Sequence, residues 1–63
     1  MDLPDQEVIE YLNTLGIVSI SELQRLEKGQ RDNTIRKMKD MKGVTVRQLA
    51  RITGISKSVI DRI

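Results

Sequence analysis

The sequence contains no cysteine and no histidine, and these two absences exclude several kinds of chemistry. Without cysteine the chain forms no disulfide and no thiolate metal site. Without histidine it lacks the commonest metal ligand and the commonest general base. The acids show no pairing pattern that suggests general acid–base catalysis, and no glycine-rich phosphate loop is present. We therefore expect no enzymatic activity, no cofactor and no metal site.

Long apolar runs are absent as well, since none approaches the ~18 residues of a membrane-spanning helix. The N-terminus carries Asp2, Asp5 and Glu7, which is unlike a secretory signal. We expect a soluble, intracellular chain without a membrane partner.

The apolar residues present are mainly aliphatic: eight Ile, six Leu and three Met accompany a single aromatic residue, Tyr11. Interleaved with Lys, Arg, Glu and Gln, they favour helices over strands. A chain of 63 residues is expected to form one domain, residues 1–63, with one compact core. Tyr11 falls at a core-facing helical position, where we expect it to pack rather than to react.

The net charge of +2 conceals an asymmetry between the two halves of the chain. Residues 1–30 carry six acids and two bases, whereas residues 31–63 carry three acids and nine bases. A basic half of this kind is typical of a surface that binds a polyanion such as nucleic acid. A solvated surface without a ligand is the alternative, and the asymmetry alone does not choose between them.

Turn and capping signals predict an all-α fold, a compact bundle of about five short helices. The first helix is expected to have Pro4 in its first turn and to end at Gly16 in a left-handed cap. Its predicted inner face consists of residues at helical spacing: Val8, Tyr11, Leu12 and Leu15.

The second helix is predicted over residues 20–28, with a capping box between Ser19 and Glu22 and an end at Gly29. Its inner residues are expected to be Ile20, Leu23 and Leu26.

A third, strongly basic helix is predicted over residues 31–42, ending at Gly43, with Ile35, Met38 and Met41 inward. Its cations either extend a nucleic-acid contact or form a solvated face: Arg31, Arg36, Lys37 and Lys39.

The fourth helix is expected to open with a capping box from Thr45 to Gln48 and to stop at Gly54 after Thr53. Ser56 then caps a fifth helix, which continues to the end of the chain.

Residues 44–63 match the helix-turn-helix pattern. Two helices that cross steeply need a small residue where they touch, which is Ala50, and a residue tolerant of positive φ in the turn, which is Gly54. Ile55 would plug the angle between the helices. The remaining positions anchor the unit to the core: Leu49, Ile60 and Ile63. Two ordinary helices joined by a glycine turn are the alternative interpretation.

Thr53 departs from this pattern, because a larger aliphatic residue usually precedes the turn glycine. We expect the neighbouring Ile52 to take over some of the packing, with the fourth helix slightly rotated.

With the isoleucine anchors inward, the rest of the fifth helix is expected to face solvent, with Val59 at the edge: Lys57, Ser58, Asp61 and Arg62. In this motif the second helix lies in the major groove, and its N-terminal residues meet base edges. Lys57 and Arg62 can donate to guanine, and Ser58 can donate or accept. Val59 can pack on a thymine methyl. Asp61 accepts from a cytosine amino group, orients Arg62, or simply covers a helix end.

The start of the fourth helix is suited to phosphate contacts, which set register without reading sequence. The candidate DNA-binding residues are therefore Thr45, Arg47, Ser56, Lys57, Ser58, Val59, Asp61 and Arg62.

From about residue 20 onward the chain resembles the C-terminal tail of bacterial transposases related to the repeat-associated tyrosine transposases, within the HUH endonuclease superfamily. The similarity covers roughly two-thirds of the chain, and its motifs are moderately specific. It lies in the runs Ser21–Leu23, Arg31–Asp32, Ile35–Arg36, Met38–Lys39, Gly43–Arg51 and Thr53–Ser56.

The resemblance implies a sequence-specific DNA-binding module, located in the bacterial cytoplasm at the nucleoid, that brings a separate catalytic domain to the end of a mobile element. HUH chemistry needs two histidines on a metal and a tyrosine nucleophile, and this chain has no histidine. The chain would then be an excised or separately encoded tail.

The favoured prediction is thus a module that binds double-stranded DNA, with no small-molecule ligand and with the catalytic domain of a parent protein as a further partner. One alternative is a small stand-alone transcriptional regulator, which would be expected to dimerise on a palindromic site. Another is a helical protein-interaction module whose acidic first half docks a partner.

Overall fold

Five α-helices make up the protein in a computed structural model that describes residues 2–63. No strand occurs within those residues, so the predicted all-α fold is confirmed. Over the same span, no helix combines the length and the apolar character needed to cross a membrane. The helices are α1 (Asp5–Thr14), α2 (Ile20–Arg25), α3 (Lys28–Lys39), α4 (Val46–Thr53) and α5 (Lys57–Arg62).

One hydrophobic core joins all five helices. Burying an aliphatic side chain contributes about 1.5–3 kcal/mol, so each core residue matters in so small a domain. Five residues predicted for the inner faces of the first three helices are only half-buried: Tyr11, Leu15, Ile20, Leu26 and Met41. The buried apolar side chains are Val8, Leu12, Ile17, Leu23, Ile35, Met38, Leu49 and Ile60.

α1 begins just after Pro4, which is extended, with φ −62° and ψ 150°. The prediction that Pro4 lies in the first turn of the helix is therefore wrong, because Pro4 lies immediately before that turn. Its carbonyl accepts hydrogen bonds from the N–H groups of Glu7 and Val8, at 3.1 and 3.4 Å. At the other end, Gly16 has a φ of 91°, which confirms the predicted left-handed end.

The predicted boundary between the second and third helices is wrong. α2 ends at Arg25, and Leu26 is extended, with φ −63° and ψ 151°. α3 begins at Lys28, so Gly29 lies inside its first turn rather than at a helix end. A glycine ends a helix when it adopts positive φ, and Gly29 is not among the glycines that do. The chain turns at Leu26 instead, which packs against the core.

α3 also ends earlier than predicted, at Lys39. Residues 40–43 form a separate turn, in which the N–H of Val44 donates to the carbonyl of Met41 at 3.3 Å. Gly43, with a φ of 93°, therefore ends this turn, whereas the prediction was that it ends the helix.

Of the two hydrogen bonds predicted for the capping box at the start of α2, one is present and the other has a different donor. Ser19 Oγ accepts from the N–H of Glu22 at 3.1 Å. Glu22 Oε2, however, accepts from the N–H of Val18 at 3.2 Å rather than from that of Ser19. The reciprocal bond thus lies one residue farther from the helix.

Candidate nucleic-acid interface

The turn between α4 and α5 is built as the sequence predicts. Gly54 is left-handed, with φ 73°, and its N–H donates to the carbonyl of Ala50 at 3.0 Å. Ser56 is extended, and its Oγ accepts from the N–H of Val59 at 3.3 Å. Local hydrogen bonds therefore define both the end of α4 and the start of α5.

Thr53 fills the position where an aliphatic residue was expected. Its side chain is completely buried, and its Oγ1 donates to the carbonyl of Leu49 at 2.6 Å. The same oxygen accepts from the N–H of Ile55 at 3.2 Å. Both hydrogen bonds satisfy a buried hydroxyl. Ile52 packs against the core, as predicted, but it does not replace Thr53.

A long-range contact that sequence analysis missed holds the end of α4. Gln24, on α2, donates through Nε2 to the carbonyl of Thr53 at 2.7 Å. Helix C-terminal carbonyls lack partners within the helix, so this bond satisfies one of them. Nothing in the sequence around Gln24 signals the contact, because its partner lies 29 positions away.

The packing of α5 separates an inner side from an outward arc. Ile60 is completely buried, and Ile55 and Ile63 are partly buried against the core. Val59 is half-buried, at the edge, as predicted. The side chains predicted to face solvent are all exposed: Lys57, Ser58, Asp61 and Arg62. At about 100° per residue these four positions span an arc of about 140° on the helix.

Arg62 lies at the far end of this arc, beside α3. Its Nε donates to the carbonyl of Ser58 at 3.3 Å. Its side chain lines a cleft of about 340 Å³ between α3 and α5. The cleft is also lined by Lys28, Arg31, Asp32, Val59 and Ile63.

The start of α4 is exposed at Thr45 and Arg47. Thr45 Oγ1 caps the helix by accepting from the N–H of Gln48 at 3.0 Å. The predicted reciprocal bond is absent, because Gln48 Nε2 donates to the carbonyl of Leu3 and to Asp5 Oδ1, at 2.6 and 3.1 Å. Gln48 therefore binds the N-terminal segment to α4 instead of completing a capping box.

Acidic residues of the N-terminal segment lie next to this part of α4. Asp5 Oδ1 accepts from Arg51 Nη2 at 2.6 Å, with both side chains about half exposed or more. Asp2 and Asp5 line a second, shallow cleft together with Thr45 and Arg47. The two halves of the chain, opposite in charge, are thus in contact here.

The cations of α3, whose orientation the sequence left open, have different surroundings. Arg31 binds Asp32 at 3.1 Å and lies towards α5. Lys39 Nζ donates to the carbonyl of Ile60 at 3.0 Å and so caps the end of α5. Arg36 Nη1 binds Asn33 Oδ1 at 2.7 Å on the exposed side. Lys37 is exposed.

The candidate surface therefore combines an outward arc on α5, an exposed start of α4 and a cleft beside α3 that is lined by cations. Residues 44–63 carry four bases and one acid, which suits a polyanion. Comparison of the chain with protein-family models, curated proteins and solved structures finds no match.

Proposed function

We propose that the chain binds double-stranded DNA, with α5 in the major groove and the start of α4 against the backbone. The observation that carries this proposal is the outward arc of α5. Its polar and charged side chains are all exposed, while Ile60 behind them is completely buried. A short helix anchored in this way presents its side chains in a defined orientation, as recognition helices do.

Lys57 and Ser58, in the first turn of α5, are the side chains that we assign to base edges. Asp61 follows one turn later on the same arc, where it accepts from a cytosine amino group. Thr45 and Arg47 contact phosphates. Ser56 uses one lone pair of Oγ for its capping bond, which leaves its hydroxyl hydrogen free to donate to a phosphate.

Within this function, we propose a module that recognises the end of a mobile element, as the resemblance of the sequence to transposase tails implies. A separate catalytic domain would cut the DNA, since the chain has no histidine for HUH chemistry. The alternative that uses the same mode of DNA binding is a stand-alone regulator, which would bind a palindromic site as a dimer.

A protein-interaction module is the second candidate, and one observation favours it. Val18 is 79% exposed and Ile9 39% exposed, both in the acidic half of the chain. Exposed apolar side chains among acids suit a basic amphipathic partner. In that case the partner would bind residues 5–27 and DNA would not compete with it.

A salt titration with a short duplex tests the leading proposal. We expect binding at low salt, with log K falling linearly with log salt at about −0.9 per phosphate contacted. Fluorescence anisotropy of a labelled duplex gives the slope. Absence of binding at the lowest salt would contradict DNA binding.

Base reading is tested with Lys57→Ala on a duplex enriched from a random pool and on a random-sequence duplex. Loss of a base contact costs about 1–3 kcal/mol on the enriched duplex. On random duplex the loss should be smaller, because only the general electrostatic attraction is lost. Equal losses on both would assign Lys57 to phosphate.

A further inference from the structure

We infer that the cleft between the start of α3 and the end of α5 binds a phosphodiester group of the DNA. α3 would then add a backbone contact to those made by α4 and α5. This inference rests on the proposed DNA-binding function and deepens it, because it adds a third helix, α3, and a new residue, Lys28, to the proposed interface.

Cations line the cleft from both sides. Lys28 and Arg31 come from α3, and Arg62 comes from α5. The volume of about 340 Å³ is ample for a phosphate group. Val59 and Ile63 form its apolar part, which excludes some water and strengthens the attraction between a phosphate and the cations.

The one side-chain carboxylate of the lining, that of Asp32, is already engaged. Its Oδ1 accepts from Arg31 Nε and Nη2, at 3.2 and 3.1 Å, and both side chains are only 24% exposed. Asp32 therefore orients the guanidinium of Arg31, which keeps further N–H donors for an anion. With three cationic side chains and one anionic side chain, the lining side chains carry a net charge of +2.

The position of Arg62 changes its expected role. It lies five residues after Lys57, or about 7.5 Å along the axis of α5, beside Lys28 and Arg31. Its Nε donates to the carbonyl of Ser58, and its side chain lines the cleft together with those of Lys28 and Arg31. We therefore assign Arg62 to a phosphate instead of to guanine.

Lys28→Ala and Lys37→Ala form a matched pair for the test. Both lysines are exposed on α3, and at 3.6 residues per turn Lys37 lies roughly opposite Lys28. We expect Lys28→Ala to weaken binding about eightfold at 0.1 M salt and to reduce the salt slope by about 0.9. The loss of affinity should be equal on the enriched and the random duplex. Arg62→Ala should have the same effects on affinity and on the salt slope as Lys28→Ala. Lys37→Ala should change affinity less than about twofold.

Asp32→Asn should change DNA affinity in the opposite direction, because removing this carboxylate from the cleft should raise the affinity. Asp40 is the control, since it is exposed at the end of α3, and Asp40→Asn should raise the affinity less. Circular dichroism of each variant verifies folding.

Wild-type binding with equal effects of Lys28→Ala and Lys37→Ala would overturn this inference and leave the proposed function intact. Wild-type protein that binds no duplex would overturn both.

Inorganic phosphate, added at constant ionic strength, should not produce saturable shifts of the Lys28 and Arg31 amide signals. Shifts like those caused by duplex would assign the cleft to the free anion and overturn the inference.

Discussion

Gly54 connects α4 to the following turn in a left-handed conformation that costs a residue with a Cβ roughly 1–2 kcal/mol. Space is restricted as well, because a Cβ at this position would lie 2.9 Å from Nε2 of Gln24. The same amide donates to the carbonyl of Thr53 at 2.7 Å. Added bulk at Gly54 would therefore disturb the bond that holds the end of α4.

We predict that Gly54→Ala lowers the free energy of unfolding by about 1–3 kcal/mol, for both of these reasons. Gly29→Ala is the matched control, because Gly29 lies in α3 and its added Cβ would be 3.7 Å from Glu27 Oε1. That substitution should stabilise by about 0.4–1 kcal/mol. Urea denaturation followed by circular dichroism measures both. A neutral Gly54→Ala would contradict the described turn.

At the scale of the element, α4 is held at both ends by residues that are distant in sequence. Gln48 binds Leu3 and Asp5 near its start, and Gln24 binds Thr53 at its end. The N-caps Ser19, Thr45 and Ser56 could be predicted, because such a capping bond joins residues three positions apart. The tertiary partners could not be, since neither periodicity nor turn chemistry reports which distant side chain is near.

The boundary between α2 and α3 shows a second limit of sequence analysis. A glycine such as Gly29 is a typical signal for the end of a helix. The chain nevertheless turns three residues earlier, at Leu26, because Leu26 packs against the core. Helical periodicity still identified Leu23, Ile35 and Met38 as core residues, because the inner face of a helix does not depend on where the helix ends.

The contact of Asp5 with α4 leads to a prediction about affinity. Asp5→Asn removes a negative charge beside Arg51 and close to Thr45 and Arg47, so it should raise DNA affinity several-fold at 0.1 M salt. The ion pair is exposed, and an asparagine keeps an amide oxygen that can still accept from Gln48 Nε2, so the free energy of unfolding should change by less than about 1 kcal/mol.

Duplex anisotropy measures the affinity, and Glu10→Gln is the control, an exposed acid on α1 that lines neither cleft. Equal gains from both substitutions would mean that only net charge matters and that the place of Asp5 beside α4 does not.

Over the whole molecule, the acidic and basic halves of the sequence are not two separate surfaces. The N-terminal segment packs at the start of α4, and the N–H of Leu3 donates to the carbonyl of Gly43 at 3.0 Å. The outward arc of α5 could be predicted, because the isoleucine spacing alone defines its inner side. The cleft containing Lys28 could not, because it depends on how α3 and α5 pack together.

Amide chemical-shift mapping of the full chain during titration with a short duplex tests the central claim most directly. We expect the largest changes at the start of α4, residues 45–47, along residues 56–62, and at Lys28 and Arg31. Residues of α1 should change little. Changes confined to residues 5–27, with residues 56–62 unaffected, would contradict the proposal that this chain binds DNA through α5.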